Sequence, residues 1–196
     1  VEKSVIKDLL HAARTCNACE PELPLGARPI LQIHPDAGIL IASQAPGRIA
    51  HESGIPFQDP SGRRLRDWMG VEERTFYDAR RVAILPMSFC YPGRGGGGDL
   101  PPRPECAPLW RQAFLDRLDG LRLVLLIGVH AQRWHGAGAA RSVTENVRAW
   151  LEQPDDVIPL PHPSPRNNAW FTRNPWFERD VLPRVRCRVA TALGDF

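Results

Sequence analysis

Four short apolar runs, at residues 38–43, 82–85, 121–127 and 157–160, constrain this 196-residue chain more than any other feature. Each is too short for a typical helix and too continuously apolar for a strand with one wet face. Each therefore reads as a strand buried on both sides. Helical patterns fill the intervals. Val5, Leu9, Leu10 and Ala13 recur at helical spacing and predict a first helix ending near Cys16. Further helices are expected over 63–69, with Gly70 as the stop, over 106–118, after Gly128, and over 143–151. The tail 174–193 is predicted helical from Pro175 onward, since proline is tolerated in a first turn. Strands alternating with helices make an α/β fold: a three-layer α/β/α sandwich around a mainly parallel four-stranded sheet, in one domain spanning 1–196. In such sheets ligands bind beyond the carboxyl ends of the strands. The loops at Gln44, Pro86 and His162 each follow a strand, so all three are expected at the same end.

Composition narrows the class of protein more than the reaction. Hydrophobic residues at 43% and charged residues at 24% match a soluble globular domain. The formal charge of +3 is mild, yet 23 of the 25 basic residues are arginine, Lys3 and Lys7 being the only lysines. Arginine's planar fork suits phosphate, although an arginine-biased genome gives the same count. No run approaches the ~18 apolar residues of a membrane span, and Val1-Glu2-Lys3-Ser4 lacks the layout of a secretory leader. The expectation is a cytoplasmic monomer with no membrane partner. In that reducing compartment five cysteines read as ligands, buried thiols or catalysts rather than disulfides.

Two loops carry the chemistry. His162-Pro163-Ser164-Pro165-Arg166-Asn167 sets one histidine ahead of a hydroxyl, a guanidinium and an amide, with two prolines stiffening the backbone. Ser43-Gln44-Ala45-Pro46-Gly47 follows the first strand, and Gly54-Ile55-Pro56-Phe57 and Ser61-Gly62 come soon after. Cys16 and Cys19 have the spacing of a metal-ligand hairpin, and Cys90 and Cys106 flank a glycine- and proline-rich loop. From the residues alone these four suit zinc, an iron–sulfur cluster or no ligand. The run 93–98 is glycine-rich but lacks the Gly-Lys-Ser/Thr ending of a phosphate loop. The run therefore reads as a loop beside the cysteines.

These motifs, in this order and each after a strand, resemble the two signature motifs of the uracil-DNA glycosylase superfamily. The frame SQAPG, GIPF and SG is most similar to its iron–sulfur branch (family 4), and HPSPRN resembles the motif of the single-strand-selective branch. The resemblance implies an enzyme of base-excision DNA repair that flips a damaged base from single- or double-stranded DNA and hydrolyses its N-glycosidic bond. It implies that His162 donates to the departing base, that Phe57 stacks on it, and that Gln44, Ala45 and Gly47 frame the pocket. Ser61 and Gly62 at a helix start would seat a phosphate, and Ser164, Arg166 and Asn167 would enter the DNA. It further implies that Cys16, Cys19, Cys90 and Cys106 hold a structural [4Fe–4S] cluster, with zinc or no metal as the alternatives. No lysine suited to Schiff-base chemistry lies near either motif, so a monofunctional hydrolase is expected.

Two positions depart from the family. Ala45 stands where the most efficient branch carries a water-activating aspartate; His51, or Glu52, is the nearby substitute, and His51 is the one favoured. Pro86 stands where the family reads uracil with an asparagine, leaving Ser88 or the Met87 backbone to contact the base. Both departures keep open a rival reading, a non-catalytic or covalently trapping protein that binds uracil-containing DNA. A third reading is a hydrolase of free nucleosides or nucleotides.

Overall fold

The computed structural model describes residues 2–136 and 141–194, apart from the side chains of residues 2–5, so Val5's place on the first helix lies outside the described side chains. Its sheet contains β1 (Ile39–Ala42), β2 (Val82–Ile84), β5 (Leu123–Ile127) and β6 (Val157–Leu160), in the order β2-β1-β5-β6 and parallel throughout. A small antiparallel hairpin, β3 (Arg94–Gly95) and β4 (Gly98–Asp99), stands apart from it. Alternation along the strands builds the three layers. Ile39, Ile41, Ile84 and Leu125 enter one apolar layer with Leu65, Trp150 and Val185, contributed by α3 (Pro60–Met69), α7 (Val143–Glu152) and α9 (Leu182–Leu193). Leu40, Ala83 and Leu85 face the other way, toward Ala13 of α1 (Glu2–Arg14) and Phe114 of α5 (Cys106–Leu115). The expected α/β/α sandwich around four parallel strands is what the chain forms.

The edges of the sheet explain two local choices. Pro159 sits inside β6 without harm because β6 is an edge strand, where a missing N–H breaks no ladder on the open side. At the other edge Gln32 closes β2: its backbone pairs with Ile84, and its side-chain amide donates to the carbonyls of Phe76 at 3.0 Å and Val82 at 2.8 Å.

Short elements were not legible in the sequence. These are α2 (Arg48–Ser53), α4 (Glu73–Phe76), the β3–β4 hairpin, and α8 (Asn168–Arg173), none long enough to show a period. Between α5 and β5 the helix predicted to 118 ends at Leu115. The long tail helix also differs. Pro183 lacks the N–H that an α-helix needs, and its ring would strike the carbonyl four residues back. The chain accommodates it with one wide π turn, Phe177–Val181, before α9. The remaining helix, α6 (Gly128–Trp134), follows β5 directly.

Candidate active site

A cleft of about 390 Å³ opens at the carboxyl ends of the strands. Its walls are the loops after β1, β2 and β6, as expected for a parallel sheet. It brings together Gln44, Ala45, Gly47, Phe57, Ser61, His162, Ser164, Arg166 and Asn167, all anticipated from the sequence. It also contains Ser43, Asp59, Pro86 and Asp99.

The HPSPRN loop is fixed from several sides. Asn167 Nδ2 donates to the His162 carbonyl at 2.8 Å, and Arg64 of α3 donates to the carbonyls of Pro163 and Ser164 at 3.2 and 3.3 Å. Deeper down, the buried Gln132 amide donates to the Leu160 carbonyl at 3.0 Å and receives a 2.9 Å bond from buried Asn146. The Ser164 N–H donates to His162 Nδ1 at 3.2 Å. A backbone amide can only donate, so Nδ1 is an acceptor and the ring proton sits on Nε2. Burial lowers the pKa of His162 below its ordinary value and outweighs the opposing pull of Asp59 and Asp99. The cleft therefore holds a neutral imidazole with Nε2–H as its donor.

Phe57 is held just as firmly. Its φ of +56° is unusual for a non-glycine residue, and such strain persists only where the surroundings fix it. Tyr77 Oη donates to its carbonyl at 3.2 Å, and its ring meets Phe76 edge-on at 6.1 Å. Gly62 lies directly beneath: a Cβ there would overlap the Phe57 carbonyl oxygen. This revises the role expected for Gly62. Its N–H is already bonded, at 2.8 Å, to Oδ1 of Asp59, the N-cap of α3, and so is not free for phosphate.

Three other expectations are corrected. His51 does not line the cleft. Arg48, Ile49 and Ala50 do, and the next step around α2 turns His51 inward to a tilted contact with Tyr91 at 6.1 Å. Ser88 is buried away from the cleft with its hydroxyl on the Cys90 carbonyl at 3.4 Å, and the Met87 N–H is taken by the Ser43 carbonyl at 2.7 Å. Glu52 is exposed and paired with Arg48 at 2.7 Å. Among the polar groups facing the cleft, Ser61 was expected from the sequence, whereas Ser43, Asp59 and Asp99 were not. Ser43 and Ser61 are only 3% and 7% exposed, yet neither hydroxyl bonds to another described residue. Hydroxyls that line a cleft without a protein partner are available to a polar ligand. Ser43 directly follows β1 and opens the SQAPG motif, but only the packing of the loops shows that it faces the cleft.

A family model described as the uracil DNA glycosylase superfamily matches residues 31–186. The chain belongs to the uracil-DNA glycosylase superfamily. Within that superfamily fold, Pro86 lies in the cleft with its side chain offering no amide. Its carbonyl and that of Leu85 receive bonds of 3.4 and 2.7 Å from the fully buried Arg111, which pins the end of β2.

Cys16, Cys19, Cys90 and Cys106 line one small, mainly apolar cavity on the opposite side of the Pro86 loop; Cys16 and Cys19 precede the matched segment. Burial drives the Cys106 thiol up to about 12 and Cys90 to about 11, the nearby sulfurs adding to it. The Phe89 N–H already points at Cys106 Sγ from 3.4 Å, as it would toward a thiolate. Among the described residues no three His, Cys, Asp or Glu groups close around a single ion. The donor chemistry nonetheless suits a cluster, since four sulfurs line one small cavity.

Histidine burial has a consequence for stability. His135 is lowered to about 4 by burial first and by the adjacent Arg111 second, and burial also lowers His51, His130 and His162. The unfolded chain takes up these protons near pH ~6.5, before the folded one does, so their contribution is complete above that pH and is lost as pH falls toward 4. Melting temperature is expected to decline steadily through this window; a flat profile would contradict neutral histidines in the folded protein.

Proposed function

We propose that this protein is a monofunctional DNA glycosylase that flips uracil or a related deaminated base out of DNA and hydrolyses its N-glycosidic bond, leaving an abasic site. The observation that carries the reading is the fixed tautomer of His162. Bond cleavage leaves negative charge on the departing base, and a preset Nε2–H in the cleft stabilises that charge without having to reorganise. Phe57 supplies a rigid face for stacking, worth about 1–3 kcal/mol per base. Extrusion into such a pocket is how enzymes reach a base otherwise stacked in DNA. Arg48 and Arg166 line the cleft and give it the positive charge that phosphates need, and with Arg94 they lie close enough to Tyr91 to act on its hydroxyl. With proline at position 86, the Ser43 hydroxyl is the buried group left to read the base. It can donate or accept, which suits more than one deaminated base.

Labelled oligonucleotides carrying uracil, hypoxanthine or xanthine test the reading: alkali-labile abasic product is expected from at least one. The rival, a protein that binds without turnover, is motivated by Ala45 and Pro86 in the cleft. It predicts tight binding, or a denaturant-resistant adduct, with no free base.

The four cysteines would hold a [4Fe–4S] cluster whose contribution is a cross-link between the segment after α1 and the loop entering α5. Protein purified without air is expected to absorb near ~400 nm, as thiolate-bound clusters do, with iron and sulfide in equal amounts. Cys106→Ser should remove both the colour and much of the thermal stability. Colourless protein containing zinc would contradict the cluster.

A further inference from the structure

We infer that Asp99, carried by the glycine hairpin outside both signature motifs, is the catalytic base that takes a proton from the attacking water. The inference rests on the glycosylase reading above and names the group that does the work for which Ala45 has no side chain.

Four observations carry it. Asp99 lines the cleft, and its Oδ2 lies 3.6 Å from where a Cβ on Gly47 would stand. Asp59 Oδ2 lies 3.9 Å from that same point, so two carboxylates converge on the open space above Gly47. They differ in what else they do. Asp59 caps α3 through Oδ1, whereas Asp99 makes no side-chain hydrogen bond or ion pair among the described residues. An exposed carboxylate with no structural partner, held facing a reaction cleft, is free to accept a proton.

The hairpin that carries it is tied to both signature loops. Gln44 Nε2 donates to the Leu100 carbonyl at 3.1 Å, and Arg166 Nη1 reaches the Gly97 carbonyl at 3.4 Å. Gly98, at φ +139°, lies so close under the Arg166 guanidinium that a Cβ would overlap it. The glycines thus let a two-residue strand pack beneath an arginine and set Asp99 over Gly47. The Ser43 and Ser61 hydroxyls, which make no bond to another described residue, line the same cleft and are available to the same ligand.

The step balances without a further reagent. The C1′–N bond breaks with its electron pair leaving on the base, which His162 Nε2–H stabilises. The water oxygen bonds to C1′, and its proton passes to Asp99. The base anion takes a proton from solvent on release, and Asp99 returns its own.

Single-turnover base release, binding to an uncleavable substrate duplex, and rescue by formate test the assignment. Asp99→Asn is expected to slow release by about 10²–10³-fold, the usual weight of general-base catalysis, with binding unchanged or tighter. Formate should restore Asp99→Ala by at least about tenfold, since a small carboxylate can occupy the vacated space and take the proton. Wild-type rates in Asp99→Asn would overturn the inference. So would a loss matched by weaker binding with no formate rescue, or the same pattern appearing instead in Asp59→Asn, which keeps the helix cap. If the wild-type protein releases no base from any DNA, the glycosylase reading itself falls, which is a different result from an active enzyme indifferent to Asp99.

Discussion

His162→Ala is expected to slow single-turnover release of the base by about 10²–10³-fold, the loss typical of removing one preset donor from a developing anion. Binding to an uncleavable substrate should change little, because the base is neutral until the bond breaks and the donor acts mainly in the transition state. The fixed tautomer makes a sharper forecast possible. His162→Gln, which offers an amide donor without the Ser164-to-Nδ1 bond that orients the ring, should recover only part of the loss. Equal rates in all three proteins would show that the imidazole is structural.

Gly62→Ala is expected to be the most damaging small substitution. The new methyl would overlap the Phe57 carbonyl oxygen and lie 2.7 Å from its carbonyl carbon, both backbone atoms with no flexible end to move aside. Overpacking of this kind costs about 3 kcal/mol, a fall in melting temperature of roughly 6–12 °C for a chain of this size. The damage should reach the chemistry as well. Phe57 already sits at φ +56°, and displacing its carbonyl breaks the bond from Tyr77 that holds it there. Base release should therefore drop even at temperatures where the variant is folded. A stable, fully active Gly62→Ala would contradict the packing described for the Phe57 turn.

The sheet was legible in the sequence because each of its strands is a continuous apolar run, and that pattern has few solutions other than burial between helices. The main loops of the site followed from it, since each comes immediately after a strand: Gln44 after β1, Pro86 after β2, His162 after β6. What escaped were features decided by geometry at a distance. His51 and Ala50 are adjacent in sequence, yet one step around α2 puts Ala50 in the cleft and His51 against Tyr91. Ser88 and Ser43 are both serines in loops that follow a strand. Only the packing of the Pro86 loop sends the first toward the cysteine cavity and leaves the second facing the cleft. Asp99 lies in a stretch without period or motif, and its approach to Gly47 depends on bonds from Gln44 and Arg166, more than fifty positions away in either direction. Gly62 was identified as important for the wrong reason: a helix start does offer N–H groups to an anion, but Asp59 had already taken this one.

The most direct test of the account is to count free base by mass spectrometry after mixing the protein with excess uracil-, hypoxanthine- or xanthine-containing DNA. A cleft that hydrolyses the glycosidic bond predicts more than one free base per protein molecule, each matched by an abasic site, with release from His162→Ala slower by about 10²–10³-fold. No free base, or a one-to-one protein–DNA adduct that survives denaturant, would contradict it.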